Sequence, residues 1–203
     1  FPQVRVEIDG VPIHAIHVRG TGPAPKPLIL THGWPWTFWD WKDVIGPLTD
    51  PAAHGGDPAD AFDVVVPSLP GYGFSEIPQE PGMTPQRIAR MWEALMGQLG
   101  YERFAAQGGD WGATITSILG YNHPEHLCGI HLNMIPLRAA SPAGRPQTPE
   151  EVAFFEAVRE RRDDEFGYFR IQGSRPQTLA YGLHDSPAGL AAWITEKWRA
   201  WSD

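Results

Sequence analysis

The chain predicts an α/β fold: a mainly parallel sheet interleaved with helices, followed by a helical lid segment. Three observations carry this reading. Short apolar runs at residues 27–31, 62–67 and 104–107 have the length and character of strands buried inside a parallel sheet. Stretches of helical period separate them. After Asn133 the strand pattern stops, and several helical stretches follow without an intervening strand.

The elements follow in order. Residues 4–8 and 11–18 are two strand-like runs joined by Asp9-Gly10, a strong signal for a tight hairpin. Residues 27–31 (PLILT) read as a buried strand that ends in His32-Gly33-Trp34-Pro35. Residues 38–48 have helical spacing through Phe38, Trp41, Ile45 and Leu48. A second buried strand, 62–67, ends near Pro70-Gly71-Tyr72-Gly73. Thr84 then caps a helix with Pro85 at its first position and a stripe of Ile88, Met91, Trp92, Leu95 and Leu99. A strand at 104–107 leads into Gly108-Gly109-Asp110-Trp111-Gly112, a helix at about 112–121, and a strand at 128–132. Residues 138–147 are rich in Pro, Ser, Ala and Gly and read as a loop. Thr148-Pro149-Glu150-Glu151 is a capping box that opens a helix. Further helical stretches cover about 164–172, 176–183 and 187–201. The division is a sheet-bearing part, 1–134, and a helical cap or lid, 135–203.

Composition excludes some functions. A net charge of −8 leaves no basic stripe to neutralise phosphates, so nucleic acid is not expected as a partner. No apolar stretch is long enough to span a membrane. The single Cys128 has no internal disulfide partner and lies in an apolar run, which predicts a buried thiol in a reducing, cytoplasmic setting. No metal or other cofactor is expected. His14 and His17 should face opposite sides of a strand, and His123 and His126 flank a loop proline, so all four read as satisfied structural histidines.

Asp110 has two readings. It is a good helix N-cap, and it stands where a nucleophile would stand on a sharp strand-to-helix turn. Three features favour the second. Gly108 and Gly112 flank it at two residues on either side, where crowding of strand against helix demands small residues. It follows a strand at the carboxyl edge of the predicted sheet, where active sites gather. His32-Gly33-Trp34-Pro35 ends an earlier strand and supplies a second wall. There the backbone N–H of Trp34 can pair with that of Trp111 to hold a developing oxyanion. A simple turn is the other reading of that tetrapeptide.

HGWP, PSLPGYGFS (67–75), GGDWG, HLNM (131–134), GYFRIQ (167–172) and DSPAGLAAWITEKW (185–198) together resemble the microsomal-type epoxide hydrolases of the α/β-hydrolase superfamily. The resemblance runs along the whole chain in order. The HGxP and DWG elements are shared with haloalkane dehalogenases, and the last two segments are more specific. The resemblance implies that Asp110 is the nucleophile and that Tyr168 is one of two lid tyrosines that donate to the epoxide oxygen. Without it, Tyr168 reads as a packing aromatic. It further implies that Trp34 and Trp111 supply backbone donors, and that Trp34, Pro35 and Trp111 line the substrate pocket. A cis peptide before Pro35 is expected. The implied partners are a small hydrophobic epoxide and water.

A carboxylate suits this chemistry. It is ionised at neutral pH and attacks without a base to activate it, unlike serine. Attack yields an ester, which water can hydrolyse with a histidine as base. Serine would yield an ether, which is a dead end.

The family's relay histidine, its partner acid and the second tyrosine match nothing here. His184 lies in GLHDSP, outside such a motif, and His123, His126 and His131 are too near Asp110. The expectation is therefore a fragment lacking the C-terminal part of the core, with that part as its partner against an open sheet edge. Two other readings stay open: a haloalkane dehalogenase using the same Asp110, and a non-catalytic scaffold that binds an apolar ligand. The Trp-rich helix at 190–201 suits either a pocket cover or contact with another subunit in a homo-oligomer.

Overall fold

A computed structural model describes residues 1–135 and 147–202, apart from the side chains of 161–164. The expected loop at 138–147 lies outside the described residues but for its last residue. The chain forms two compact units, Phe1–Pro136 and Leu137–Asp203.

In the first unit, strands β1 (Gln3–Ile8) and β2 (Val11–Val18) form the expected antiparallel hairpin. Asp9 and Gly10 both have positive φ, 53° and 73°, which matches the right-handed twist of the flanking strands. Strands β3 (Lys26–Thr31), β4 (Phe62–Pro67), β5 (Phe104–Gly108) and β6 (Leu127–Leu132) are mutually parallel, and β2 runs antiparallel to β4. The order across the sheet is β1-β2-β4-β3-β5-β6.

Alternation along the central strands feeds two cores. Ile29, Val65 and Ala106 face helices α2 (Pro85–Gln98) and α3 (Trp111–Asn122), packing with Met91, Trp92, Leu95, Ile115 and Leu119. Leu28, Leu30, Val64 and Val66 face the other way, onto Phe38 and Ile45. Ile45 belongs to α1 (Lys42–Thr49). The expected helix at 38–48 therefore starts as a 3-10 turn, Phe38–Trp41, because the Thr37 side chain accepts from the Trp39 N–H and ties off a tight first turn. Thr84 caps α2 as expected, accepting from the Arg87 N–H at 3.3 Å.

His14 and His17 do face opposite sides. His14 meets Ser68 and Gln3, while His17 meets Tyr101. His123 and His126 both contact Glu93. Cys128 departs from expectation: it is exposed. Strand β6 is the last in the sheet order, and only Leu127 of its six residues is buried, so an apolar sequence run here does not mean a covered strand.

The second unit is helical: α4 (Pro149–Glu165), α5 (Gly167–Gln172), α6 (Pro176–Asp185) and α7 (Pro187–Trp201). The capping box forms in both directions, Thr148 N–H to Glu151 at 2.8 Å and Glu151 N–H to Thr148 at 3.3 Å. Helix α5 begins later than the expected 164, because α4 runs through Glu165 and the chain breaks at Phe166. Among the described residues no helix is long and apolar enough to cross a membrane.

Candidate active site

The parallel register aligns three strand ends. Thr31 pairs with Gly108, and Gly108 pairs with Leu132. The segments that leave these ends carry His32-Gly33-Trp34, Asp110 and Asn133, which places them along the carboxyl edge where α/β proteins hold ligands.

Asp110 connects β5 to α3 with φ 52° and ψ −122°, a conformation that a residue with a side chain rarely adopts. The surrounding glycines make the turn possible. A Cβ on Gly108 would lie 2.1 Å from the Gly112 carbonyl oxygen, and one on Gly112 would lie 2.0 Å from the Thr31 carbonyl oxygen. Asp110 sits at the N-cap position of α3, yet its side chain makes no capping hydrogen bond. The carboxylate instead accepts the Trp34 backbone N–H at 2.8 Å, and the Trp111 N–H also acts on it. Burial raises the Asp110 pKa above the ordinary carboxylate value, and those two N–H groups partly offset the rise.

The Gly33–Trp34 peptide is held at both ends. Its N–H donates to Asp110, while its carbonyl oxygen accepts from Nδ1 of His32 at 3.0 Å. Nε2 of His32 in turn accepts the Leu69 N–H at 3.1 Å, which fixes the neutral Nδ1–H tautomer. Burial holds this imidazole below its usual pKa, with the Gly33 carbonyl opposing. The Trp34-Pro35 peptide is cis, as the sequence led us to expect. Trp34, Pro35 and Trp111 are all half-buried.

Asp110, Trp34 and Trp111 thus meet at one point, and Pro35 adjoins it. Tyr168 belongs to the second unit, on α5, where its ring meets Trp201 edge-on at 5.5 Å. Sequence reasoning missed two groups. The His32 ring was read only as part of a wall. Tyr72 packs on His32 at 5.5 Å, and burial together with the Asp110 charge raises its pKa. No spacing rule points to either, since each depends on a loop 37 residues or more away, as the His32–Leu69 bond illustrates. Among the described residues no group of three or more His, Cys, Asp or Glu can hold a metal ion.

Comparison with known proteins agrees with this architecture. A family model for the alpha/beta hydrolase fold matches residues 26–188, and one for the epoxide hydrolase N terminus matches residues 1–41. A Stigmatella aurantiaca protein provisionally named an epoxide hydrolase is 46% identical across 100% of this chain and 46% of its own length. Epoxide hydrolase 1 of Oryctolagus cuniculus is 36% identical across 100% of this chain and 49% of its own. The crystal structure of juvenile hormone epoxide hydrolase from the silkworm Bombyx mori matches with a TM-score of 0.76 at 32% identity, covering 100% of this chain and 47% of that one. The structure of Aspergillus niger epoxide hydrolase gives 0.80 at 31%, covering 97% and 51%. The chain spans about half the length of the curated relatives it matches. It belongs to the alpha/beta hydrolase fold family, and along its whole length it is similar to proteins named epoxide hydrolases.

Proposed function

We propose that the whole protein converts hydrophobic epoxides to vicinal diols through an ester on Asp110. A carboxylate oxygen of Asp110 attacks an epoxide carbon, and the C–O bond of the ring breaks. The electron pair moves to the epoxide oxygen, which takes a proton from the Tyr168 hydroxyl. The product is a hydroxyalkyl ester. Water then adds to the ester carbonyl carbon, and the oxyanion formed is held by the N–H groups of Trp34 and Trp111. Cleavage of the acyl C–O bond releases the diol and restores the carboxylate, and the proton that the base takes from water returns to the Tyr168 oxygen. The base that activates this water lies in the part of the protein outside these 203 residues, as does the second tyrosine.

The observation that carries this reading is the pair of backbone donors already on the carboxylate, one of them the 2.8 Å bond from Trp34. An oxygen held that way keeps its partners as carboxylate, ester carbonyl and tetrahedral oxyanion. The relatives named as epoxide hydrolases and juvenile hormone epoxide hydrolases support an apolar epoxide as substrate. The half-buried Trp34 and Trp111 suit it. A reducing, cytoplasmic location suits the free thiol of Cys128.

Denaturing mass spectrometry after brief exposure to an aryl epoxide tests the reading. The expected result is one adduct on the peptide that carries Asp110, lost in Asp110→Asn. No adduct, or an adduct from a haloalkane and none from the epoxide, overturns it.

A further inference from the structure

Helix α7 inverts the usual burial rule. It exposes Leu190, Trp198 and Trp201 at 46%, 52% and 36%, and the one residue it buries is Lys197, at 7%. Lysine is almost never buried without partners, and these are all within reach. Its ammonium donates to Oε2 of Glu165 at 3.0 Å and to the Glu165 carbonyl oxygen at 3.4 Å. It also lies 3.0 Å from Oε2 of Glu196. The Tyr168 ring centre is 5.7 Å away and the Trp201 ring centre 5.9 Å.

These contacts converge on one place. Glu165 is the last residue of α4, and a carbonyl at a helix C-terminus is a natural partner for a cation. Helix α5 starts two residues later and carries Tyr168 as its second residue. Six residues are too few for a helix to hold its own shape, so the direction of the Tyr168 ring is set by what packs on it. Lys197 ties the end of α4 and the Tyr168 face to α7, and Trp201 closes the same cluster.

We infer that Lys197 is a positioning residue for the tyrosine donor: it fixes the α4–α5 junction and holds the Tyr168 ring, so that ring opening at Asp110 depends on it through Tyr168. This rests on the role proposed above for Tyr168. Lys197 touches no reacting atom. Its two carboxylate partners outweigh the effect of burial and raise its pKa, so it remains charged throughout the working range.

The test is a double-mutant cycle on the rate of Asp110 adduct formation from an aryl epoxide, followed by mass spectrometry over a range of epoxide concentrations. Lys197→Met is expected to lower the saturating rate about tenfold with little change in the half-saturating concentration, because misdirected donors cost rate rather than binding. Lys197→Arg should recover most of the loss. In a Tyr168→Phe background Lys197→Met should add no further loss. An equal loss in both backgrounds, or no loss in either, overturns the inference while leaving the Tyr168 assignment intact. A Tyr168→Phe variant that reacts at the parent rate overturns the donor role itself, and the inference with it. If Lys197→Met does not fold by circular dichroism, Glu165→Gln serves in the same cycle. It weakens the anchor but keeps the shape, and the same coupling to Tyr168 is expected.

Discussion

The Trp34 backbone N–H and the Asp110 carboxylate, 76 residues apart in sequence, meet at 2.8 Å. That approach is possible because Gly33 has no side chain. A Cβ there would lie 2.2 Å from Oδ1 and 2.5 Å from Cβ of Asp110. Gly33→Ala must therefore push the carboxylate off its donors or displace the Trp34 peptide. Adduct formation at Asp110 is expected to fall by about a hundredfold, since displacements near 1 Å at a reacting centre cost that much. Circular dichroism should show the fold retained. An adduct rate within a factor of about two of the parent would show that the close approach is unimportant to reactivity.

Asp110 also sets a pH dependence. Its pKa is raised in the folded protein, by burial first. In the proposed reaction only the carboxylate attacks, so adduct formation should rise with pH along a limb displaced upward from the ordinary carboxylate value of about 4. The stability consequence has a definite sign. A raised pKa means the folded state favours the protonated acid, so the Asp110 contribution is best at low pH and is lost as pH rises through the folded pKa. Asp110→Asn, which still accepts the Trp34 N–H, should be more stable than the parent at pH 7, with the advantage shrinking in acid. Thermal melts of both proteins across pH check this, and a constant difference would contradict a raised Asp110 pKa.

Much of this was legible in the sequence, for physical reasons. Strand and helix periods read directly because burial on both faces of the sheet selects apolar residues at 64–66 and at 28–30. The turn at Asp110 read from Gly108 and Gly112, because steric exclusion leaves a local signature. What depends on the order of strands did not read. The apolar run around Cys128 predicts cover, but β6 lies at the end of the sheet order and exposes it. The His32 bond to Leu69 and the Lys197 bond to Glu165 join loops and helices more than 30 residues apart, and nothing in local spacing encodes them.

The glycines give a contrast in stability. Gly112→Ala brings a Cβ against the Thr31 backbone, which cannot rotate away, and should cost about 2–4 kcal/mol. Gly97 lies in α2 with nothing within 4 Å of an added Cβ, so Gly97→Ala should stabilise by about 0.5–1 kcal/mol through helix propensity. Urea unfolding of the two variants checks both signs. Equal effects would mean that crowding at the elbow is relieved by a backbone shift.

His32 is the remaining control point. Its ring joins the Leu69 N–H to the Gly33 carbonyl, and so sets the plane of the peptide whose N–H reaches Asp110. The bond from Leu69 requires a lone pair on Nε2, and protonation removes it. The folded pKa is lowered by burial, so the unfolded chain binds the proton first. Stability from His32 is full above the unfolded value of about 6.5 and is lost as pH falls through the folded pKa. His14 and His17 are lowered as well and act in the same window. The histidine share of the melting temperature should therefore fall between about pH 7 and about pH 5, against the opposite trend of Asp110, and the Asp110→Asn background isolates it. His32→Leu should flatten part of that slope and leave the share of the other two histidines. The variant strands the buried Leu69 N–H, at a cost of about 1–3 kcal/mol. It should also slow adduct formation at pH 7, because the Gly33–Trp34 peptide loses the bond that holds its carbonyl. An unchanged adduct rate in a folded His32→Leu protein would show that Asp110 alone is enough to hold the Trp34 donor in place.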